Sequence, residues 1–440
     1  MFFDRYVTGH SRTYDYISSL ISTADAESCL SNAIGAASLA YFSTQTSTKK
    51  ILKDAREKYV LALRLVSEAV ESRDIAVKDS TLVSVLLLDL FEKLTRTCRS
   101  SESWTKHMSG AIELVKLRGD SQFRNQLGLR LFLQLSSTIL IGCVQHDVRV
   151  PVDLINLRRE ASKYVDPIDP KWKFSDIVVQ FVEFRARLLE DQVHGQEFLA
   201  TAKRIDTDLR MVSENVPTEW KYDTVMAQPP CKEVYGDHFD VYADHHMTHT
   251  WNNIRIIRIL LNELIKEHLV ERDSTETASA SPVVFGDDYF HASECIISLS
   301  TDILASVPQY TQLPRHKNCL FSTKPSQDVS GQSQSAAKPT SLAEFKLPNI
   351  PSSGPVRFEP RDFTAFETSR CYTLIFPLYV AGSSEICPQP MREWILNTLD
   401  TIENIVGIKE AAVAAGYLKR REKINPWSLY AMIGSYSFSA

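Results

Sequence analysis

Between Ile51 and Val70 the apolar residues return at intervals of three and four. Leu52, Ala55, Tyr59, Ala62, Leu63, Val66, Ala69 and Val70 share one side, and Lys53, Glu57, Arg64 and Glu68 fall opposite. That period predicts an amphipathic helix. Just upstream, Leu30, Ala33, Ala37 and Ala40 make a stripe dominated by small side chains, which lets two helices approach closely. With only the short polar run STQTSTKK between them, the two segments predict a helical hairpin. The next apolar run, KDSTLVSVLLLDLFEKL, is too continuous for one amphipathic face and predicts a helix buried nearly all round, with Asp79 or Ser80 as its cap. Inside it Glu92 must find a hydrogen-bonding or cationic partner or shift its pKa.

The stretch WTKHMSGAIELVKLRG, residues 104–119, again has helical spacing at Trp104, Met108, Ala111, Ile112 and Val115. Ser101 or Ser103 can cap it, Lys116 and Arg118 suit its C-terminal dipole, and Gly119 ends it. A buried helix is predicted from Leu127 to a point before Pro151. Two amphipathic helices follow, in FSDIVVQFVEFRARLLEDQ and FLATAKRIDTDLRMVSENV. A further helical stretch lies in VYADHHMTHTWNNIRIIRILLNELIKEHLV. In the closing module Pro377 kinks or ends one helix, Pro388 and Pro390 precede another, and Trp394, Thr398, Leu399 and Ile402 supply the buried face of the latter.

These elements predict an all-α fold, a large irregular multi-helix bundle of packed helical hairpins. No fixed internal period argues for a solenoid. Four parts are expected: an N-terminal segment 1–28, a helical core 29–312, a disordered insertion 313–361 rich in Ser, Pro and Gln, and C-terminal helices 362–440 that pack back on the core. Composition agrees with helix. Gly is only 15 of 440 residues, and 44% of the chain is apolar against 23% charged.

A formal charge of −5 offers no electrostatic footprint for nucleic acid, so no direct binding to it is expected. The longest basic cluster, Leu418 to Lys423, is a candidate nuclear import signal whose alternative is a solvated helix end. The eight cysteines lie far apart, none at zinc-site spacing, and read as reduced, mostly buried thiols. The first residues lack the apolar core of a secretory signal, and no run reaches about 18 apolar residues; an intracellular protein that does not span a membrane is expected.

Candidate chemistry is sparse. His245 and His249, four apart with Asp244 adjacent, are candidate metal ligands; the alternative is a polar helix start. His246 occupies the place where a zinc protease helix carries its glutamate, so hydrolysis of that kind is unsupported. Trp251, Arg255 and Arg258 share a stripe one helix turn further on and are candidate ligand-binding residues, since paired guanidinium forks beneath an aromatic ring suit an anionic small molecule. The alternative, which is preferred, is an internal ion pair with a carboxylate such as Glu92. His107 near Trp104 has no nucleophile or oxyanion donor at a recognisable spacing and reads as a satisfied core histidine. No catalytic residue, cofactor or metal is expected.

Taken together, YVLALRLVSEAV, LLLDLFEKL, WTKHMSGAIELVKLRG, HTWNNIRIIRILLNELI and LIFPLYVAGSSEICPQPMREWILNTLDTIENIVGIKEA resemble, in order and spacing, the fungal-specific transcription factor domain. This is the helical regulatory region found downstream of binuclear zinc cluster modules. The most specific pieces are Trp104, His107, Gly110, Ala111 and Arg118-Gly119, with Phe376 to Ile395, and the resemblance runs from about Cys29 to about Lys419. Six closely spaced cysteines precede the domain in complete members, and no such cluster occurs in these 440 residues, so DNA reading is not carried over to any residue. The resemblance implies a nuclear regulator of a fungal pathway gene set, of secondary metabolism for example. It would act by contacts with the transcription machinery or a DNA-binding partner, under a small-molecule effector. A second expectation is a small-molecule binder or biosynthetic enzyme on the same scaffold, with its pocket between the Trp251 helix and the LIFPLYVAG segment.

Overall fold

A computed structural model describes residues 7, 14–21, 28–46, 48–95, 101–228, 232–276, 286–311, 320–322 and 365–434 of the chain. After a short helix α1 (Ile17–Ile21), α2 (Cys29–Thr46) and α3 (Lys49–Glu71) form the hairpin that their spacing predicts. Leu30, Ala33, Ala37 and Ala40 are wholly buried, and α3 answers with Ala55, Ala62 and Ala69, so the two helices meet through small side chains. A single turn, α4 (Arg73–Ala76), leads into α5 (Asp79–Thr95), in which every residue from Thr81 to Glu92 is buried. Its leucines and Phe91 each contribute about 1.5–3 kcal/mol of gross burial. The carboxylate that this burial strands, Glu92, takes a hydrogen bond from the Tyr59 hydroxyl of α3, whose ring stacks on Phe91 at 4.3 Å.

Helix α6 (Ser101–Arg118) ends on Gly119, whose φ of 69° lies in the left-handed region that glycine adopts without strain. Helix α7 (Gln126–His146) starts where the Asn125 side chain accepts the Leu127 N–H at 3.0 Å, and stops at Asp147, which has a φ of 55°. By length and composition α7 could cross a membrane, contrary to the expectation that no run is apolar enough. Yet 67% of its most apolar window is buried against protein, and it packs on α5, α6 and the helices that follow. These are α8 (Val152–Ala161) and α9 (Pro170–Leu189), the latter capped by Asp169 at 2.8 Å from the Lys171 N–H and packed in turn on α10 (Gly195–Glu214).

The all-α class carries one small addition that the sequence reading did not foresee. Strands β1 (Asp223–Gln228), β2 (His238–Val241) and β3 (Leu320–Ser322) pair antiparallel in the order β2-β1-β3 around a minor apolar cluster of Val225, Ala227, Val234 and Phe239. Apart from β3, the stretch 313–361 expected to be disordered lies outside the described residues. The long α11 (His245–Glu276) then pairs with α12 (Asp287–Ala305).

The closing helices are α13 (Ala365–Tyr372), α14 (Ile375–Ser383), α15 (Gln389–Asn404), α16 (Glu410–Arg420) and α17 (Pro426–Met432). Pro377 neither kinks nor ends a helix. It stands in the first turn of α14, where its missing N–H costs nothing, and the break falls at Thr373 and Leu374 before it. Residues Ile375 to Gly382 are all buried, against α11 and α12 on one side and α15, α16 and α17 on the other. One apolar cluster runs from Val7 through every layer to Ile433.

Candidate functional site

Helix α11 carries most of the residues that the sequence singles out. Asp244 is its cap, accepting the His246 N–H at 2.7 Å, and the same oxygen lies 3.4 Å from His245 Nδ1. The rings of His245 and His246 lie 3.9 Å apart, and potential ligand atoms of Asp244, His245 and His246 fall within 4.8 Å of one another. The sequence spacing grouped His249 with Asp244 and His245; the capping turn brings His246 alongside instead. His249 is turned into the interior at 6% exposure, its Nε2 buried without a hydrogen-bond partner. Burial above all, with His246, Lys171 and His245 adding to it, holds the His249 imidazole well below its ordinary pKa, in its neutral form.

Two turns along, Trp251 and Arg255 are brought together and Arg258 is not. The Arg255 guanidinium, 3% exposed, sits 5.6 Å from the Tyr222 ring, 5.9 Å from Tyr242 and 5.6 Å from Trp251. It donates to Asn252 Oδ1 at 2.9 Å and stands 4.0 Å from Asp240 and 3.9 Å from Asp302. Trp251 donates its indole N–H to the Trp220 carbonyl at 3.0 Å. Burial raises the pKa of Asp240, an effect that the Thr224 hydroxyl at 2.8 Å and Arg255 oppose. Arg258 turns to α10 and grips Asp206 with two bonds of 2.9 and 3.3 Å, while Asn262 donates to the same carboxylate at 3.1 Å. The protein's own carboxylates thus engage both arginines. They are Asp206, Asp240 and Asp302, and not Glu92, which meets Tyr59. No local signal in the sequence identifies these three aspartates, because each lies on another element.

Elsewhere in the bundle α6 builds a second polar knot and a cavity. Arg118, its side chain 5% exposed, donates to the Val77 carbonyl at 2.9 Å, to Gln122 Oε1 at 3.1 Å and to Asp79, tying the end of α6 to the start of α5. Trp104 stacks on His146 of α7 at 4.8 Å and lies close against Gly142, where an added Cβ would stand 2.1 Å from the indole. His107, half-buried, lines a cavity of about 730 Å³ bounded by α3, α4, α5 and α6. The pocket expected between α11 and the LIFPLYVAG helix falls where the two pack together, the Ser384 hydroxyl donating to Glu263 of α11. Spacing could not reveal the α3–α6 cavity, since its lining comes from four helices that only the fold brings together. Among the described cysteines Cys143, Cys371 and Cys387 are buried, and burial pushes the Cys143 thiol up to about 12.

Comparison with known proteins bears on this second region. The chain is 30% identical over 106 residues to an uncharacterized protein of Emericella nidulans, a match covering 24% of this chain and 22% of that protein's length. No solved structure matches. The resemblance read from Cys29 to Lys419 is matched by a family model over a shorter stretch, the N-terminal third, which holds α1 to α6 and most of α7. Residues 3–142 match the fungal specific transcription factor domain.

Proposed function

We propose that this protein is a transcription regulator that acts through its helical bundle as an effector domain, in the nucleus, on a fungal pathway gene set. The observation that carries this reading is the family match over residues 3–142, the region of the Arg118 knot and the α3–α6 cavity. Its partners are proteins of the transcription machinery or a DNA-binding protein. A net charge of −5 gives the chain no overall attraction to a phosphate backbone. Nuclear entry is assigned to the end of α16, where Lys419, Arg420 and Arg421 are exposed. Fluorescent fusions test that part: neutralising the three residues should move the protein to the cytoplasm.

The deciding experiment deletes the gene and measures transcripts of neighbouring genes. A regulator changes their levels. Unchanged transcripts with an accumulated intermediate would instead establish the second reading, a binder or enzyme on the same scaffold, which the α3–α6 cavity favours.

A further inference from the structure

We infer that the cavity between α3 and α6 is a binding site for an apolar small molecule with one polar end, and that this molecule is the effector of the regulator proposed above, on which reading the second clause rests. Its floor is Ala76, Val85 and Leu88, all buried, and its two walls are Leu63 and Val66 of α3 and Leu114 of α6. At about 730 Å³ it has the size of pockets that hold organic ligands, roughly 300–1,000 Å³.

The space opens to solvent at its mouth, and two features favour its being kept open by the sequence over a packing fault. The buried residues of α3 are all alanines, Ala55, Ala62 and Ala69, whereas its larger Leu63, Val66 and Val70 are left half-buried or exposed along the cavity. A helix that packs by methyl groups and turns isopropyl and isobutyl groups to an open space leaves apolar surface for something else to cover. The second feature is Gly110. A glycine inside a helix costs about 1 kcal/mol relative to alanine. Close approach does not account for it, because nothing lies within 4 Å of where its Cβ would stand. Gly110 is exposed at the rim of the cavity that it lines, where a side chain would stand in open space.

The chemistry of the lining selects the class of ligand. Charge is confined to the exposed mouth, at Lys106 and Glu113, and the interior offers aliphatic carbon beside the half-buried His107. A multiply charged metabolite would lose its hydration against Leu63 and Leu114 with no buried ion to meet it. An aliphatic or aromatic body with one carboxylate or hydroxyl at the mouth loses none. Lys106 is held by Glu102 at 2.6 Å, with both side chains more than 70% exposed, so exchanging that partner for a ligand head group costs little.

The test uses the full chain with 1-anilinonaphthalene-8-sulfonate as fluorescent probe and long-chain alkyl carboxylates and alcohols as competitors. Saturable one-to-one binding of the probe, displaced by the competitors, is expected. Gly110→Leu should weaken it about tenfold or more with the melting temperature of the ligand-free protein held or raised, and Gly110→Ala by less. Lack of saturable binding, or a Gly110→Leu protein that binds as the wild type does, overturns the site. Failure of binding while gene deletion still alters transcripts removes this inference alone. Binding that holds while transcripts stay unchanged supports the site and removes the regulator.

Discussion

A guanidinium at 3% exposure remains tolerable because three rings and two carboxylates stand in for the water it has lost, as they do around Arg255. Replacing it with alanine leaves Asp240, itself 5% exposed at the side chain, facing an empty space with one hydroxyl bond. The expected cost is about 3–5 kcal/mol, the range for breaking a buried pair from one side. Calorimetry on Arg255→Ala should show a fall of several degrees; an unchanged melting temperature would remove the ion-pair role. His249 makes a prediction of opposite kind, in pH. Its folded pKa lies below the unfolded value of about 6.5, so below that pH the unfolded chain binds a proton that the folded chain refuses. Stability is therefore full above about pH 7 and declines as pH falls through 6.5, by up to about 1.4 kcal/mol per pH unit for this one group. His146 and His268 are depressed too, chiefly by burial, and add to the slope. In His249→Gln, which cannot titrate, the melting-temperature gap from wild type should narrow between pH 7.5 and 5. A gap constant across that range would sink the assignment.

At the scale of the element, two glycines on neighbouring helices carry opposite signs. Gly142 of α7 lets the Trp104 indole lie on bare backbone, whereas Gly110 of α6 faces open space. Alanine gains about 1 kcal/mol of helix propensity at either position. At Gly142 overpacking, typically 1–3 kcal/mol, opposes the gain, so Gly142→Ala should lower the melting temperature and perturb the Trp104 fluorescence while Gly110→Ala raises it. A stabilised Gly142→Ala protein would show that α6 and α7 adjust freely. These helices were legible in the sequence because their signals are local: the alanine stripe of α2, the period of α3, the continuous run of α5 and the terminal glycine of α6 all lie within the element they define. The sheet was not. β1 alternates for only a few residues, from Thr224 to Ala227, and its second partner, β3, begins at Leu320. For the same reason the readings of Arg255 and Arg258 identified the cations but not the anions: Arg258 meets Asp206 across 52 residues of chain.

For the whole molecule the question is whether the family-matched stretch is a folding unit. Residues 3–142 end inside α7, a helix that also packs against α8, α9 and α17 beyond them. On its far side Arg158 of α8 reaches Ser136 at 2.8 Å, and α9 and α17 pack along it. Beyond them Phe181, Phe376, Trp427 and Tyr430 bring α9, α14 and α17 together, with ring centroids 6.4 Å apart for Phe181 and Trp427 and 4.8 Å for Phe376 and Tyr430. The apolar cluster crosses this boundary without a gap. A fragment ending at His146 would expose the face of α7 that α8, α9 and α17 cover, on a helix apolar enough in composition to enter a membrane. Such a surface is an aggregation liability in water. The fragment should therefore melt without cooperativity, bind hydrophobic dye along much of its surface and lose amide protection in α7, while the full chain melts as one transition. A fragment that melts cooperatively and keeps α7 protected would mean that the matched stretch is an independent domain. The continuity of the core across residue 142 would then be packing between domains.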